Sequence, residues 1–101
     1  MAFYALYTLL VADRSYLWTD AGKASAAGNE VAEREVVDAL YSPQRIEHGI
    51  GTLLLAIAGL ADTARVILVV CERVGRPSNY AILIARPATP EEIKQWMEGT
   101  Q

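Results

Sequence analysis

Cysteine and histidine are almost missing from this chain. Cys71 and His48 are the only members of their types. An intrachain disulfide and a Cys/His zinc site are therefore both out of reach, and a reducing, cytoplasmic setting with no cofactor is the expected one. Long apolar runs are scarce too. The most apolar early stretch, residues 2–12, is too short to span a bilayer and lacks the basic start and small-residue cleavage pattern of a signal peptide. Overall basicity is also lacking: the formal charge is -3 and the pI about 5.0, which counts against nonspecific nucleic-acid binding driven by phosphate neutralisation.

What the chain has instead is apolar side chain, 52% of its 101 residues, enough for the core of one domain over 1–101. Its charge is unevenly spread. Residues 45–86 carry Arg45, Arg65, Arg73, Arg76 and Arg86 against Glu47, Asp62 and Glu72, a local +2 that leaves -5 elsewhere. Arginine suits bidentate recognition of phosphate or carboxylate, and it equally serves as a solvated strand end.

The fold class expected is α+β. Residues 1–12 fit a helical stripe and a strand alike, with a strand preferred, and Ser15–Trp18 reads as a short strand or a hairpin arm. Thr19 or Asp20 can cap a helix over Ala21–Ala27, whose small residues predict close packing, with Gly28 and Asn29 supplying a left-handed end. A second helix is expected over Ala32–Tyr41, with Val36, Val37, Leu40 and Tyr41 inward and Glu33, Arg34, Glu35 and Asp38 in water. Apolar runs at 44–48, 52–58, 65–72 and 79–86 are joined too tightly for parallel crossovers, which predicts an antiparallel meander of four strands beside an N-terminal strand. Thr89-Pro90-Glu91-Glu92 then reads as a capping box opening a last helix, with Ile93, Trp96 and Met97 toward the sheet.

The phrases EVVDALYSPQRIEHG, RVILVVCER and YAILIARPAT, in that order and followed by a helix, resemble BrnT-like toxins of the RelE superfamily. The resemblance runs from about Trp18-Thr19-Asp20 to the end, making 16–101 the toxin-like domain and 1–15 an extension outside it. It implies a metal-independent endoribonuclease with an antitoxin protein as partner. This chain departs from the family pattern where Pro87 replaces a basic residue, where Pro90-Glu91-Glu92 replaces a basic helix start, and where Asn29-Glu30-Val31 stands in for His-Gly-Val.

Cleavage of RNA through its 2'-hydroxyl needs a proton acceptor and fixed positive charge on the phosphorane. The resemblance offers Arg86 first for that charge, with Arg65 and Arg73 as helpers. His48 is the residue that ordinarily titrates near neutrality, and its expected strand-end position suits either a general base or an ordinary exposed histidine. Arg76, Arg45 and Tyr80 are the candidates for holding RNA, with Tyr80 equally a cross-strand packing residue. Cys71 closes an apolar strand and reads as buried filler. The competing reading is a noncatalytic module that binds an acidic partner or a second copy, through an edge such as residues 1–12.

Overall fold

The computed structural model describes the backbone of residues 7–11 and the whole of 14–76 and 78–99. Six strands, β1 (Tyr7–Val11), β2 (Arg14–Trp18), β3 (Ile46–Ile50), β4 (Leu53–Gly59), β5 (Val66–Arg73) and β6 (Asn79–Pro87), form one sheet. Three helices accompany it: α1 (Asp20–Gly28), α2 (Glu33–Tyr41) and α3 (Pro90–Gly99). The strand order is β1-β2-β6-β5-β4-β3, so β1 and β3 are the edges.

Strands β3 to β6 are antiparallel neighbours in chain order, as the short connections require. At the N-terminus the hairpin-arm reading of Ser15–Trp18 holds, since β1 and β2 form an antiparallel hairpin, so that two strands rather than one precede α1. β2 lies parallel to β6, which makes the sheet mixed. The connection from β2 to β6 holds two helices and three strands, so the limit on tight parallel crossovers does not apply to it. The pairing role expected of residues 1–12 falls largely outside the described residues.

Trp18 ends β2, and Thr19 turns the chain into α1. Its hydroxyl donates to the Ile82 carbonyl oxygen (2.7 Å) and accepts from the Gly22 N–H (2.9 Å), capping the helix and fastening it to β6 at once. The predicted close packing is extreme at Gly22, where an added Cβ would run into the Ile82 carbonyl oxygen. Past Trp18 no described strand continues on the β2 side of β6, and α1 stands in for one: Ser25 Oγ accepts from the Ala85 N–H (3.1 Å), and Asn29 Nδ2 donates to the Ala85 oxygen (3.2 Å). The left-handed residue after α1 is Glu30 (φ 56°), while Gly28 remains helical and Asn29 keeps a negative φ. The Val31 N–H bond to the Ala26 oxygen (2.8 Å) closes that turn.

The core lies on the helical side of the sheet. Tyr16, Trp18, Leu54, Ala56, Ala58, Ile67, Val69, Cys71, Ile82 and Ala85 project there and meet Ala26, Val31, Val36, Ala39 and Leu40. Ile82 and Ala85 are three apart yet share this face. A bulge at Leu83, opposite Val70 and Cys71, inserts the extra residue that realigns them. Two members of α2 depart from expectation. Tyr41 is 52% exposed, and Glu35 is buried because it accepts from the Ala32 N–H (3.1 Å) and from Arg65 (2.9 Å).

Among the described residues the reverse face carries only α3, over Ile57 and Leu68. Glu92 Oε1 accepts from the Thr89 N–H (2.8 Å), and Thr89 Oγ1 accepts from the Glu92 N–H (3.2 Å), completing the predicted capping box. Trp96 lies against Gly59, where a Cβ would stand 2.5 Å from its ring, and donates to the Gln44 oxygen (3.1 Å). Met97, expected inward, is 55% exposed. No helix among the described residues is long and apolar enough to cross a membrane.

Candidate functional site

The seven residues singled out in the sequence do not form one group. Arg65 precedes β5 and Arg73 ends it, so about 26 Å of extended chain separates them. Arg86 faces Leu68 across the β5–β6 ladder, whereas Tyr80 faces Arg73 at the other end. Register also divides them by face: Arg73 and Tyr80 share the helical side with Tyr16, while Arg86 and His48 lie on the reverse side.

Three of the five arginines are already committed to carboxylates. Arg86 donates through both Nη atoms to the two oxygens of Glu92 (2.9 Å each), and Nη1 also reaches the Pro87 oxygen (3.1 Å). This fork, joined by the Thr89 N–H, outweighs partial burial and holds the Glu92 carboxyl below the usual glutamate range. Arg65 Nη1 donates to Glu35 (2.9 Å) and to the Glu30 oxygen (3.0 Å), tying the left-handed residue between α1 and α2 to the start of β5. Arg45 Nε donates to Glu47 (2.8 Å), and Arg45 Nη1 donates to the Ser42 oxygen (2.9 Å). Arg73 and Arg76 are exposed at the β5–β6 turn, where Arg76 lines a recess of about 380 Å³ with Ser15, Ser78 and Asn79.

The strongest polar constellation was not legible in the sequence. Arg14 on β2 donates to Glu47 on β3 (2.6 Å) and to the Tyr16 hydroxyl oxygen (3.3 Å). In a flat sheet four strand spacings, about 19 Å, would separate β2 from β3, so this contact requires a strongly curled sheet. The helical side is its concave side, and Arg14, Glu47 and Arg45 span the part that α1 and α2 leave uncovered. Burial alone would raise the Glu47 carboxyl, but its bonds to Arg14 and Arg45 prevail and lower it. Beneath them Tyr80 stacks on Tyr16 (centroids 5.8 Å apart, planes at 24°), with the Arg14 guanidinium 5.6 Å from the Tyr80 ring. Burial raises the Tyr16 hydroxyl against the lowering bond from Arg14, and pushes the Cys71 thiol up to about 12. Cys71 is thus a protonated thiol at neutral pH, poorly suited to nucleophilic attack.

On the reverse face, His48 lines a depression of about 320 Å³ with Gly49, Ile50, Leu55, Ile57, Glu92 and Gln95. Arg86 stands behind Glu92. This depression brings His48, the sequence-predicted base, beside Glu92, the partner of the sequence-predicted charge Arg86. Around it the sheet is apolar and open: Ile50 is 62% exposed, Ile84 is 40% exposed, and Leu17, Leu53, Leu55, Val70 and Leu83 are half-buried. Among the described residues no cluster of His, Cys, Asp or Glu is arranged to hold a metal ion. No protein-family model and no curated protein matches this sequence.

Proposed function

We propose that this chain is a noncatalytic binding module, whose task is to hold another polypeptide against the open side of its sheet. The observation that carries this reading is the commitment of Arg86: its fork is filled by Glu92, so it offers a phosphorane little uncompensated charge. The apolar surface running from Ile50 to Ile84 supports the same reading, since contiguous exposed apolar area marks sites of association.

The ribonuclease implied by the resemblance to BrnT-like toxins, neutralised by an antitoxin, is the second reading. It is favoured by the depression that His48 and Glu92 share. There His48 would accept the ribose proton, and Arg86, once released from Glu92, would face the phosphate.

Incubation of the purified chain with mixed-sequence RNA and with ribosome-bound message, both in chelator, separates the two. The module reading predicts no cleavage above background for wild type, Arg86→Ala and His48→Ala alike. Wild-type cleavage that falls about a hundred- to a thousandfold in Arg86→Ala would overturn it.

A further inference from the structure

The open side of the sheet ends at β3, and the local chemistry of that strand selects its occupant. β3 joins β4 through the two residues Gly51 and Thr52, with Gly51 at φ 61° as a type II′ turn demands of its first central position. A two-residue turn makes its flanking pair, Ile50 and Leu53, exchange both backbone bonds. Alternation then gives the same inward bonding to His48 with Leu55 and to Ile46 with Ile57. The N–H and C=O groups of Glu47 and Gly49 are left pointing outward from the edge.

Edges are commonly protected by proline, lysine, a bulge or an inward-pointing charge, and of these β3 has only Glu47, whose charge is matched by Arg14 and Arg45. Its sequence, Ile46-Glu47-His48-Gly49-Ile50, places isoleucine at equal distances on both sides of His48. Ile46, His48 and Ile50 all project to the reverse face, where Ile46 is half-buried under Gly99 at the end of α3 while His48 and Ile50 are exposed.

We infer that β3 pairs antiparallel with β3 of a second copy of this chain, about a two-fold axis at His48, extending the sheet of one copy into the other. This rests on the module reading and names its partner. In that register Glu47 meets Gly49 of the second copy at both hydrogen-bonded positions, so all the outward groups are used in four backbone bonds. The exposed Ile50 of each copy stands opposite Ile46 of the other, beside Gly99 of its α3, at the closer non-hydrogen-bonded positions. An axis at Glu47 would set two carboxylates directly opposite one another, which disfavours it. With the axis at His48 each Glu47 faces a glycine, and its charge is already compensated by Arg14 and Arg45.

Oxidative cross-linking with sedimentation tests the register. His48→Cys places two thiols at a non-hydrogen-bonded pair, with Cα atoms about 4.5 Å apart, inside the range a disulfide spans. Ile50→Cys places them about 13 Å apart, outside it. The native Cys71 is fully buried and does not compete. The expected result is a disulfide-linked dimer for His48→Cys and none for Ile50→Cys. Gly49→Pro removes two of the four interchain bonds while leaving the inward bonds of the hairpin intact, and should weaken the dimer about ten- to a hundredfold.

A wild type that sediments as a monomer at all concentrations would overturn the pairing. So would a dimer that cross-links through Ile50→Cys and not His48→Cys. RNA cleavage by a chain that does cross-link through His48→Cys would overturn the module reading and leave the pairing standing.

Discussion

The two faces of one sheet are finished in opposite ways. The concave face is covered first by α1 and α2 and then by Arg14, Glu47 and Arg45, and of the large side chains beneath them Tyr16 and Trp18 are fully buried and Tyr80 partly so. Among the described residues the reverse face receives one helix, none of whose residues is buried, and keeps exposed isoleucines. The lesson is that most of the core is built on one side, with Ile57, Leu68 and Ala81 a smaller buried patch on the other. Substitutions chosen in pairs, one from each face, test that division.

The largest contrast is between Trp18 and Ile50. Trp18→Ala removes a fully buried indole and should cost about 3–5 kcal/mol, whereas Ile50→Thr, measured at a concentration where the chain is monomeric, should stay within about 0.5 kcal/mol. Urea unfolding of both variants checks this. A comparable loss in the two would mean that the reverse face also holds the fold.

Two glycines of α1 sharpen the account of how the helix meets β6. Gly22→Ala drives a methyl against the Ile82 carbonyl and should destabilise by about 1–3 kcal/mol. Gly28→Ala meets nothing within 4 Å and is predicted to stabilise by up to about 1 kcal/mol. Thermal melts that ranked the two alike would show that α1 can retreat from the sheet without penalty.

The two glutamate–arginine sites give a smaller difference. Glu47→Gln, which breaks bonds to two arginines in the curl of the sheet, should cost about 1–2 kcal/mol, and Glu92→Gln below about 1 kcal/mol. Both carboxyls are lowered in the folded chain. Their contribution is therefore complete above the unfolded glutamate value, about 4.3, and is lost as pH falls below it through the lowered values. Wild type should lose stability progressively across that acid range, and the double variant should lose less. Chemical denaturation at pH 7 and at pH 3 gives both numbers.

How much of this was legible beforehand follows from which interactions are local. The capping box at Thr89 and Glu92, the Thr19 cap and the four-strand meander are written in neighbouring residues, and the structure agrees with them. The first meander strand ends two residues later than expected because Gly51, rather than Gly49, makes the turn. Nothing near Arg14 announces Glu47, which is 33 residues away in sequence and reached only when the sheet curls. Glu35 reads as a wet helix position until Arg65, 30 residues on, arrives to pair with it. The candidate site suffered from the same blindness. Arg86 and Arg65 were identifiable as strand-end arginines, yet the partner of Arg65 lies 30 residues away, and Arg86 meets Glu92, six residues on, only because α3 turns back beside the end of β6.

Backbone amide exchange at residues 47–49 tests the use of the β3 edge most directly. With β3 paired to a second copy, the outward amides of Glu47 and Gly49 are predicted to be protected at high protein concentration and to lose that protection on dilution, while the inward amide of His48 stays protected throughout. Fast exchange at Glu47 and Gly49 at every concentration would contradict the account.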